Sequence, residues 1–215
     1  MTLPTLYEND DLWVYDKPSG VSLLKDRSGM EDLWHQLKQG PKPYLVHRLD
    51  KGTSGVLVVA KNQTAQSRFT RAFSERRVTK FYVALVDGFV PSNTSLVDLP
   101  LCKGRKSRYR IAAERANIKR EQDRYTVVQD RVGVDAKTLV RPIARFAERT
   151  LVLIKPLTGR THQIRVHLSW LGWPIVGDHL YNRDQTDERL GLHAHLLKLP
   201  YLPPFTSPLP REFYD

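Results

Sequence analysis

Two apolar runs on either side of one short polar segment constrain this chain more than any other feature. Tyr44-Leu45-Val46 precedes the segment and Val56-Leu57-Val58-Val59-Ala60 follows it. Both runs are short and apolar, and the second is rich in β-branched residues, so each predicts a buried strand. The polar segment between them, His47 to Gly55, then connects two fixed ends. A loop held in this way is a favourable position for a functional site.

Asp50 is the carboxylate of this segment, and it follows Arg48 by two residues. A carboxylate beside a fixed guanidinium stays ionised, because the positive charge favours the charged form. Such a group is a poor general acid but a usable nucleophile. The spacing also fits a structural aspartate in a salt-bridged turn, and from spacing alone that interpretation is the stronger one.

The basic composition points to a polyanionic partner. The 215 residues include 34 Lys and Arg against 23 Asp and Glu, which gives a formal net charge of +11. Each phosphate that such a surface neutralises releases counterions, and this favours nucleic acid as the partner. Hydrophobic residues make up 40% of the chain, so we expect a folded domain over 1–215, with two lobes as an allowed arrangement.

Periodicity predicts the main elements along the chain. Residues 5–17 predict a hairpin with its turn at Asn9-Asp10-Asp11. Residues 78–88 have a strand pattern in which Tyr82 lies on the opposite face from Phe81, Val83 and Leu85. By pattern alone Tyr82 is an ordinary strand tyrosine. Helices are predicted from a Ser28–Glu31 capping box, over 63–76 behind Asn62, and after Gly159 with Thr161 as the cap. Leu192 to Leu199 alternates as a strand, and the Pro-rich residues after it predict an extended surface tail.

Three basic stretches are candidates for binding a phosphate backbone. Arg68 and Arg71 belong to the predicted 63–76 helix. The 103–124 segment, an exposed hairpin or flexible arm, contains Lys103, Arg105 and Lys106, with Tyr109 available to stack on a base. Near the start of the third helix, Arg160, His162 and Arg165 lie where the helix dipole favours an anion, either a phosphate or a carboxylate such as Asp50.

The residue inventory excludes several chemistries. Cys102 is the single cysteine, so a zinc deaminase with its Cys-x-x-Cys pair is excluded. Neither a P-loop nor a Gly-x-Gly-x-x-Gly loop is present, and the carboxylates near the basic stretches form no two-metal pattern. Two alternatives stay open: a metal-free ribonuclease that uses His47, His162 or His167, and a non-catalytic RNA-binding module. We expect a cytoplasmic protein, because neither a signal pattern nor an apolar run of about 20 residues occurs.

Four motifs, in the right order, resemble those of the RluA-type pseudouridine synthases. His47-Arg48-Leu49-Asp50 with Thr53-Ser54-Gly55 is similar to the family signature H-R-L-D-x-x-T-S-G. Lys17-Pro18-Ser19-Gly20 resembles the first motif, and Lys80 to Gly88 resembles the K-x-Y-x-A-x-V-x-G strand. Gly159 to His167, followed by Gly177-Asp178, resembles the last motif. Together these motifs cover most of residues 12–200.

The resemblance implies a fold, a reaction and a partner. The fold is an α+β catalytic domain with a mixed, largely antiparallel sheet, flanking helices and loops, and a central RNA cleft. The reaction is the isomerisation of a specific uridine in structured ribosomal or transfer RNA to pseudouridine. It requires neither a metal nor a cofactor, and we expect a monomer that does not associate with membranes.

The resemblance also assigns roles by position. Asp50 is the catalytic carboxylate, whether it attacks C1′, adds to C6 or assists glycal formation. Tyr82 stacks on the flipped uracil, and Arg165 pairs with Asp50 and orients it. Arg48 intrudes into the RNA and helps to extrude the base. Arg160, His162 and the arginine-rich 68–77 segment, which contains Arg68 and Arg71, bind the RNA backbone. Lys103, Arg105 and Lys106 are RNA-binding candidates from the charge of their segment, without support from the resemblance.

The sequence departs from the family pattern in three respects. Asp16 stands where the family commonly has Asn. We expect no S4-type N-terminal extension, so the catalytic domain supplies its own RNA contacts. Residues 102–145 match the family poorly, and we expect this region to select the target RNA.

Overall fold

A computed structural model describes residues 3–24, 33, 37, 42–106, 108–182 and 187–214. The chain divides into two compact units. Unit 1 comprises Met1–Lys80 with Leu192–Pro210, and unit 2 comprises Phe81–Gly191 with Arg211–Asp215. The helix predicted from Ser28 lies outside the described residues, apart from Leu33 and Leu37.

Strands account for most of the regular structure in the described part of the chain. In chain order they are β1 (Thr5–Glu8), β2 (Leu12–Lys17), β3 (Tyr44–Leu45), β4 (Ser54–Ala60), β5 (Thr79–Asp87), β6 (Ser95–Asp98), β7 (Leu101–Lys103), β8 (Tyr109–Ile111), β9 (Ile118–Glu121), β10 (Arg124–Val127), β11 (Lys137–Phe146), β12 (Arg149–Pro156), β13 (Leu192–Lys198) and β14 (Pro204–Thr206). The α-helices that lie wholly within the described residues are α1 (Gln63–Ser74) and α2 (Gln163–Trp170), with short 3-10 turns at Arg115–Asn117 and Arg211–Phe213.

In unit 1 the strands follow the order β1-β2-β4-β13, with β3 also paired to β4 and β14 to β13. The β4–β13 pair is parallel and the other pairs are antiparallel. Asn9 forms the predicted turn between β1 and β2, because its Oδ1 accepts the N–H groups of Asp11 and Leu12 at 3.0 and 2.8 Å. The predicted 5–17 hairpin is therefore confirmed.

The β4 strand forms the centre of the unit 1 core. All seven of its residues are buried, as its apolar run predicted. Helix α1 packs on β3 and β4 through Ala65, Phe69 and Ala72, and Asn62 caps it by accepting the Ala65 N–H at 2.8 Å. The predicted helix and its Asn62 cap are confirmed.

The Pro-rich segment after β13 differs from its prediction as a surface tail. Residues 204–206 turn back and pair with β13 as strand β14, and Phe205 is buried in the unit 1 core. Pro204 is at the start of this edge strand, where a residue without an N–H is tolerated.

In unit 2 the strands follow the order β5-β12-β11-β6-β10-β9. Among these pairs β10–β6 is parallel and the others are antiparallel. Helix α2 packs on β8 and β11. Largely antiparallel strand pairing together with helices α1 and α2 gives an α+β protein, so the predicted fold class is confirmed.

The basic 103–124 segment is built mainly of two hairpins in unit 2. Strands β7 and β8 pair with Lys103 opposite Tyr109, and Gly104 donates to the carbonyl of Arg108 at 2.7 Å. Strands β9 and β10 pair through a turn at Gln122, whose φ is 52°. Within the described residues, neither α-helix is long and apolar enough to cross a membrane.

Candidate active site

Asp50 lies in a turn at the end of the loop between β3 and β4. Its carbonyl accepts the N–H of Thr53 at 3.0 Å, and its side chain is half-buried. The preceding Leu49 and the following Thr53 are both buried, which fixes the backbone on either side of Asp50. Arg48 remains exposed.

Lys17 connects the first motif to the Asp50 loop. Its side chain is fully buried, and its ammonium donates to the carbonyls of Pro18 and Val21, each at 2.9 Å, and of Lys51 at 3.2 Å. The Ser19 hydroxyl adds a second link, donating to the carbonyl of Gly52 at 2.6 Å. These contacts hold the turn directly behind Asp50. Sequence reasoning assigned no role to Lys17.

The end of the signature packs tightly on β13. Gly55 has a φ of 107°, and a Cβ at this position would lie 2.2 Å from the carbonyl oxygen of Ala194. Only glycine fits both the backbone conformation and the close approach. The Ser54 hydroxyl lies 2.8 Å from Nδ1 of the buried His193. The Thr-Ser-Gly part of the signature is therefore scaffold for Asp50.

The His47 side chain is bound within unit 1 by a hydrogen bond and a ring contact. Its Nε2 accepts the N–H of Val58 at 3.0 Å, and its ring stacks on Phe73 with centroids 4.8 Å apart. Desolvation lowers the pKa of His47 to about 3, and the charge of Lys80 acts in the same direction. The ring is therefore neutral, and its acceptor nitrogen is occupied by the backbone.

Arg165 forms a buried ion pair with Asp178 in unit 2. The Nε and Nη2 atoms of Arg165 donate to the two carboxylate oxygens of Asp178 at 2.8 and 2.7 Å. The Asp178 side chain is inaccessible and that of Arg165 is 9% exposed. A bidentate pair fixes the plane of the guanidinium. Sequence reasoning missed this role of Asp178, although the Gly177-Asp178 pair was part of the last motif.

Tyr82 and Asp50 belong to different units. Tyr82 is half-buried on β5, where it pairs in register with Ile154 of β12. Tyr82 and Arg165 are residues of unit 2, and Asp50 is a residue of unit 1. The meeting of these three side chains stays a prediction from the family motifs.

Helix α2 begins differently from its prediction. Its N-cap is His162 in the left-handed conformation, with a φ of 56°, and the predicted cap Thr161 is exposed. The prediction of Thr161 as the cap was wrong because Gln163, the first helical residue, organises the preceding loop instead. Gln163 Oε1 accepts from the Thr158 hydroxyl at 2.7 Å and from the N–H of Arg160 at 3.0 Å.

A buried hydrogen-bond chain continues from Gln163 to His167. The Gln163 amide donates to the Thr138 hydroxyl at 3.0 Å, and this oxygen lies 2.9 Å from Nδ1 of His167. His167 Nε2 is 2.9 Å from the carbonyl of Leu99, which only accepts, so Nε2 carries the proton. Burial lowers the pKa of His167 to about 4. His167 is a neutral structural residue.

The predicted RNA-binding residues lie in separate parts of the two units. On α1, Arg68 and Arg71 are exposed and paired with Asp11 and Glu75 at 2.5 and 2.6 Å. In unit 2, Lys103, Arg105 and Lys106 are exposed on the β7–β8 hairpin. Arg160 is exposed and donates to the carbonyl of Asp135 at 3.0 Å, and His162 Nδ1 lies 2.9 Å from the Tyr181 hydroxyl. In the described part of the chain, no three His, Cys, Asp or Glu side chains are grouped as metal ligands.

A family model described as RNA pseudouridylate synthase matches residues 11–170. This chain belongs to the RNA pseudouridylate synthase family. The family assignment from the four motifs is thereby confirmed. A pseudouridine synthase is an isomerase, so the chain is an enzyme that acts on RNA.

Relatives and solved structures agree with this membership. An uncharacterized RNA pseudouridine synthase of Zymomonas mobilis is 36% identical, with 98% of this chain and 95% of that protein covered. Ribosomal large subunit pseudouridine synthase D of Nitrosomonas europaea is also 36% identical over 92% of this chain, which spans 58% of that longer protein. The structure of human RNA pseudouridylate synthase domain containing 4 is similar with a TM-score of 0.78 at 26% identity, covering 98% of this chain and 90% of that one.

Proposed function

We propose that this RNA pseudouridine synthase isomerises a specific uridine in ribosomal or transfer RNA, with Asp50 as the catalytic carboxylate and without a metal or cofactor. The observation that carries the proposal is the construction of the Asp50 loop. Lys17 and Ser19 hold the backbone carbonyls directly behind Asp50, and Gly55 seats the end of the signature against β13. A carboxylate on so rigid a loop suits a reaction that requires precise aim.

The other roles follow from the family motifs. Tyr82 stacks on the flipped uracil, Arg165 orients Asp50, and Arg48 helps to extrude the base. Support for Arg165 comes from its bidentate pairing with Asp178, which presents a guanidinium of fixed plane. Support for Arg48 comes from its exposure in the same loop as Asp50.

The target RNA is proposed from relatives and from charge. The Nitrosomonas europaea relative is named as a synthase of the large ribosomal subunit, which favours ribosomal RNA. The net charge of +11 suits a large structured RNA. We place the enzyme in the cytoplasm, acting as a monomer.

The test is a comparison of pseudouridine maps of total RNA from cells with and without this protein. We expect at least one ribosomal or transfer RNA position to lose its pseudouridine and to regain it when the purified protein is added to that RNA. Unchanged maps, together with no product on the RNA from deficient cells, would contradict the proposal.

A further inference from the structure

Tyr181 contacts both the β7–β8 hairpin and Arg165. Its hydroxyl accepts the backbone N–H of Tyr109 at 2.8 Å and lies 2.9 Å from Nδ1 of His162. The guanidinium of Arg165 lies over its ring, 5.2 Å from the centroid, within the range of a cation–π contact. One half-buried side chain therefore touches the basic hairpin at its hydroxyl and Arg165 at its ring.

The turn that carries Tyr181 is rigid. Oδ1 of Asp178 accepts the N–H groups of Leu180 and Tyr181 at 3.0 and 3.2 Å. The Ser169 hydroxyl, on α2, donates to the carbonyl of Tyr181 at 2.8 Å. The same Asp178 carboxylate binds the Arg165 guanidinium. Asp178 therefore fixes both the backbone that carries the Tyr181 ring and the guanidinium that the ring contacts.

The hairpin reaches Tyr181 through its backbone. Tyr109 pairs with Lys103 in the β7–β8 register, and the exposed Arg105 and Lys106 lie in the loop between the strands. The ring of Tyr109 also packs edge-on against His162, with centroids 5.7 Å apart. A displacement of the hairpin by bound RNA would therefore move the N–H that holds the Tyr181 hydroxyl.

We propose that Tyr181 is a positioning residue that couples RNA contact at the β7–β8 hairpin to the orientation of Arg165. The inference rests on the proposed function, in which Arg165 acts on the reaction through Asp50. The hydroxyl of Tyr181 binds the hairpin backbone, and its ring limits the orientations open to the Arg165 guanidinium. RNA that engages the hairpin thus favours the catalytic arrangement of Arg165.

The test removes the hydroxyl while keeping the ring. The substrate is the RNA identified by the pseudouridine maps, transcribed with uridine tritiated at C5, because this tritium is released as C5 joins C1′. Tyr181→Phe should lower kcat by about fivefold to tenfold, because the hydroxyl no longer binds the Tyr109 N–H or His162, with the RNA Kd changed by less than about twofold. Tyr181→Leu, which also removes the cation–π contact, should lower kcat further. Tyr214→Phe, at an exposed tyrosine, is the matched control and should have no effect.

A second comparison tests whether Tyr181 transmits RNA contact from the hairpin to Arg165 or only stabilises the local structure. In a variant with Lys103, Arg105 and Lys106 replaced by Ala, kcat at saturating RNA should already be lowered. Adding Tyr181→Phe to this variant should then cost less than about twofold, because the two changes interrupt one connection. If Tyr181→Phe lowers kcat by the same factor in the wild type and in the triple-Ala variant, the proposal is overturned. An unchanged kcat for Tyr181→Phe alone would also overturn it.

The outcome also distinguishes the two proposals. If the wild-type protein forms no pseudouridine in the mapped RNA, the proposed function fails. If the wild type is active and Tyr181→Phe has the wild-type kcat, only the role of Tyr181 fails. Circular dichroism of each variant checks that the fold is retained, which we expect for Phe because the ring keeps its contacts.

Discussion

His167 lies in the last motif, yet both of its ring nitrogens are used inside the protein. Nε2 donates to the carbonyl of Leu99, which leaves Nδ1 to accept from the Thr138 hydroxyl. His47 is likewise engaged, through the N–H of Val58. The metal-free cleavage hypothesis required such rings as acid and base, and these two histidines are unsuited to that role.

The lowered pKa of His167 predicts a loss of stability in mild acid. Its pKa is about 4 in the folded protein against 6.5 ordinarily, so between these values the unfolded chain binds more protons. The free energy of unfolding should therefore fall as the pH drops from 6.5 towards 4, by up to ~1.4 kcal/mol per pH unit from this residue. Urea denaturation at a series of pH values measures this slope.

The matched variant for this prediction is His167→Gln, which removes the titrating ring and keeps a hydrogen-bonding side chain. The variant should be less stable at pH 7, and its free energy of unfolding should depend less steeply on pH between 6.5 and 4. Equal slopes in the two proteins would show that His167 is not a buried neutral group.

At the scale of elements, the buried Lys17 side chain joins the first motif to the Asp50 loop, and we expect both stability and activity to depend on it. Lys17→Met keeps most of the buried volume but leaves the carbonyls of Pro18, Val21 and Lys51 without this donor. We expect the free energy of unfolding to fall by about 2 to 4 kcal/mol, because buried acceptors lose a charged donor. The kcat should fall as well, because the Asp50 turn loosens.

Lys198→Met is the control for Lys17, since Lys198 is an exposed residue of β13. Denaturant unfolding and amide exchange of Lys51 and Gly52 measure the two effects. Faster exchange at these two amides in Lys17→Met, but not in Lys198→Met, is the expected result. Unchanged exchange in both would contradict the proposed link.

If the basic residues of the β7–β8 hairpin bind RNA phosphates, they should make RNA binding depend on salt concentration. Replacing Lys103, Arg105, Lys106, Arg108 and Arg110 with Ala should flatten the plot of log K against log salt, by up to about 0.9 for each phosphate that the protein no longer neutralises. Fluorescence anisotropy between 50 and 200 mM salt, approximately the range in which such contacts weaken most, measures the slope. An unchanged slope would show that this hairpin does not bind phosphate.

Periodicity predicted some elements well and others poorly. The β4 run and the Asn62-capped α1 helix followed directly from their residues, because burial and capping are local signals. Strands β6 and β11 were not predicted. In β11, polar residues and Pro142 interrupt the apolar pattern, and the strand is stabilised by its pairing with β12 and β6. Pairing between distant segments leaves little trace in local sequence.

At the scale of the whole molecule, the sequence motifs identified the family more completely than they described the site. Asp50, Tyr82 and Arg165 were chosen from motif positions, and the fold and the family are confirmed. The Arg165–Asp178 pair and the contacts of Tyr181 could not be predicted in the same way. They depend on how the turn at 178–182 packs against α2 and the β7–β8 hairpin, which no spacing encodes.

The central claim is that Asp50 carries the reaction, and a single-turnover assay of Asp50→Asn tests it most directly. Asn keeps the size of the side chain and the backbone turn. The variant should therefore fold like the wild type, and its RNA Kd should stay within about twofold of the wild-type value. Tritium release from the mapped RNA should fall to the background measured without enzyme. Release at the wild-type rate by a folded, RNA-bound Asp50→Asn protein would contradict the account.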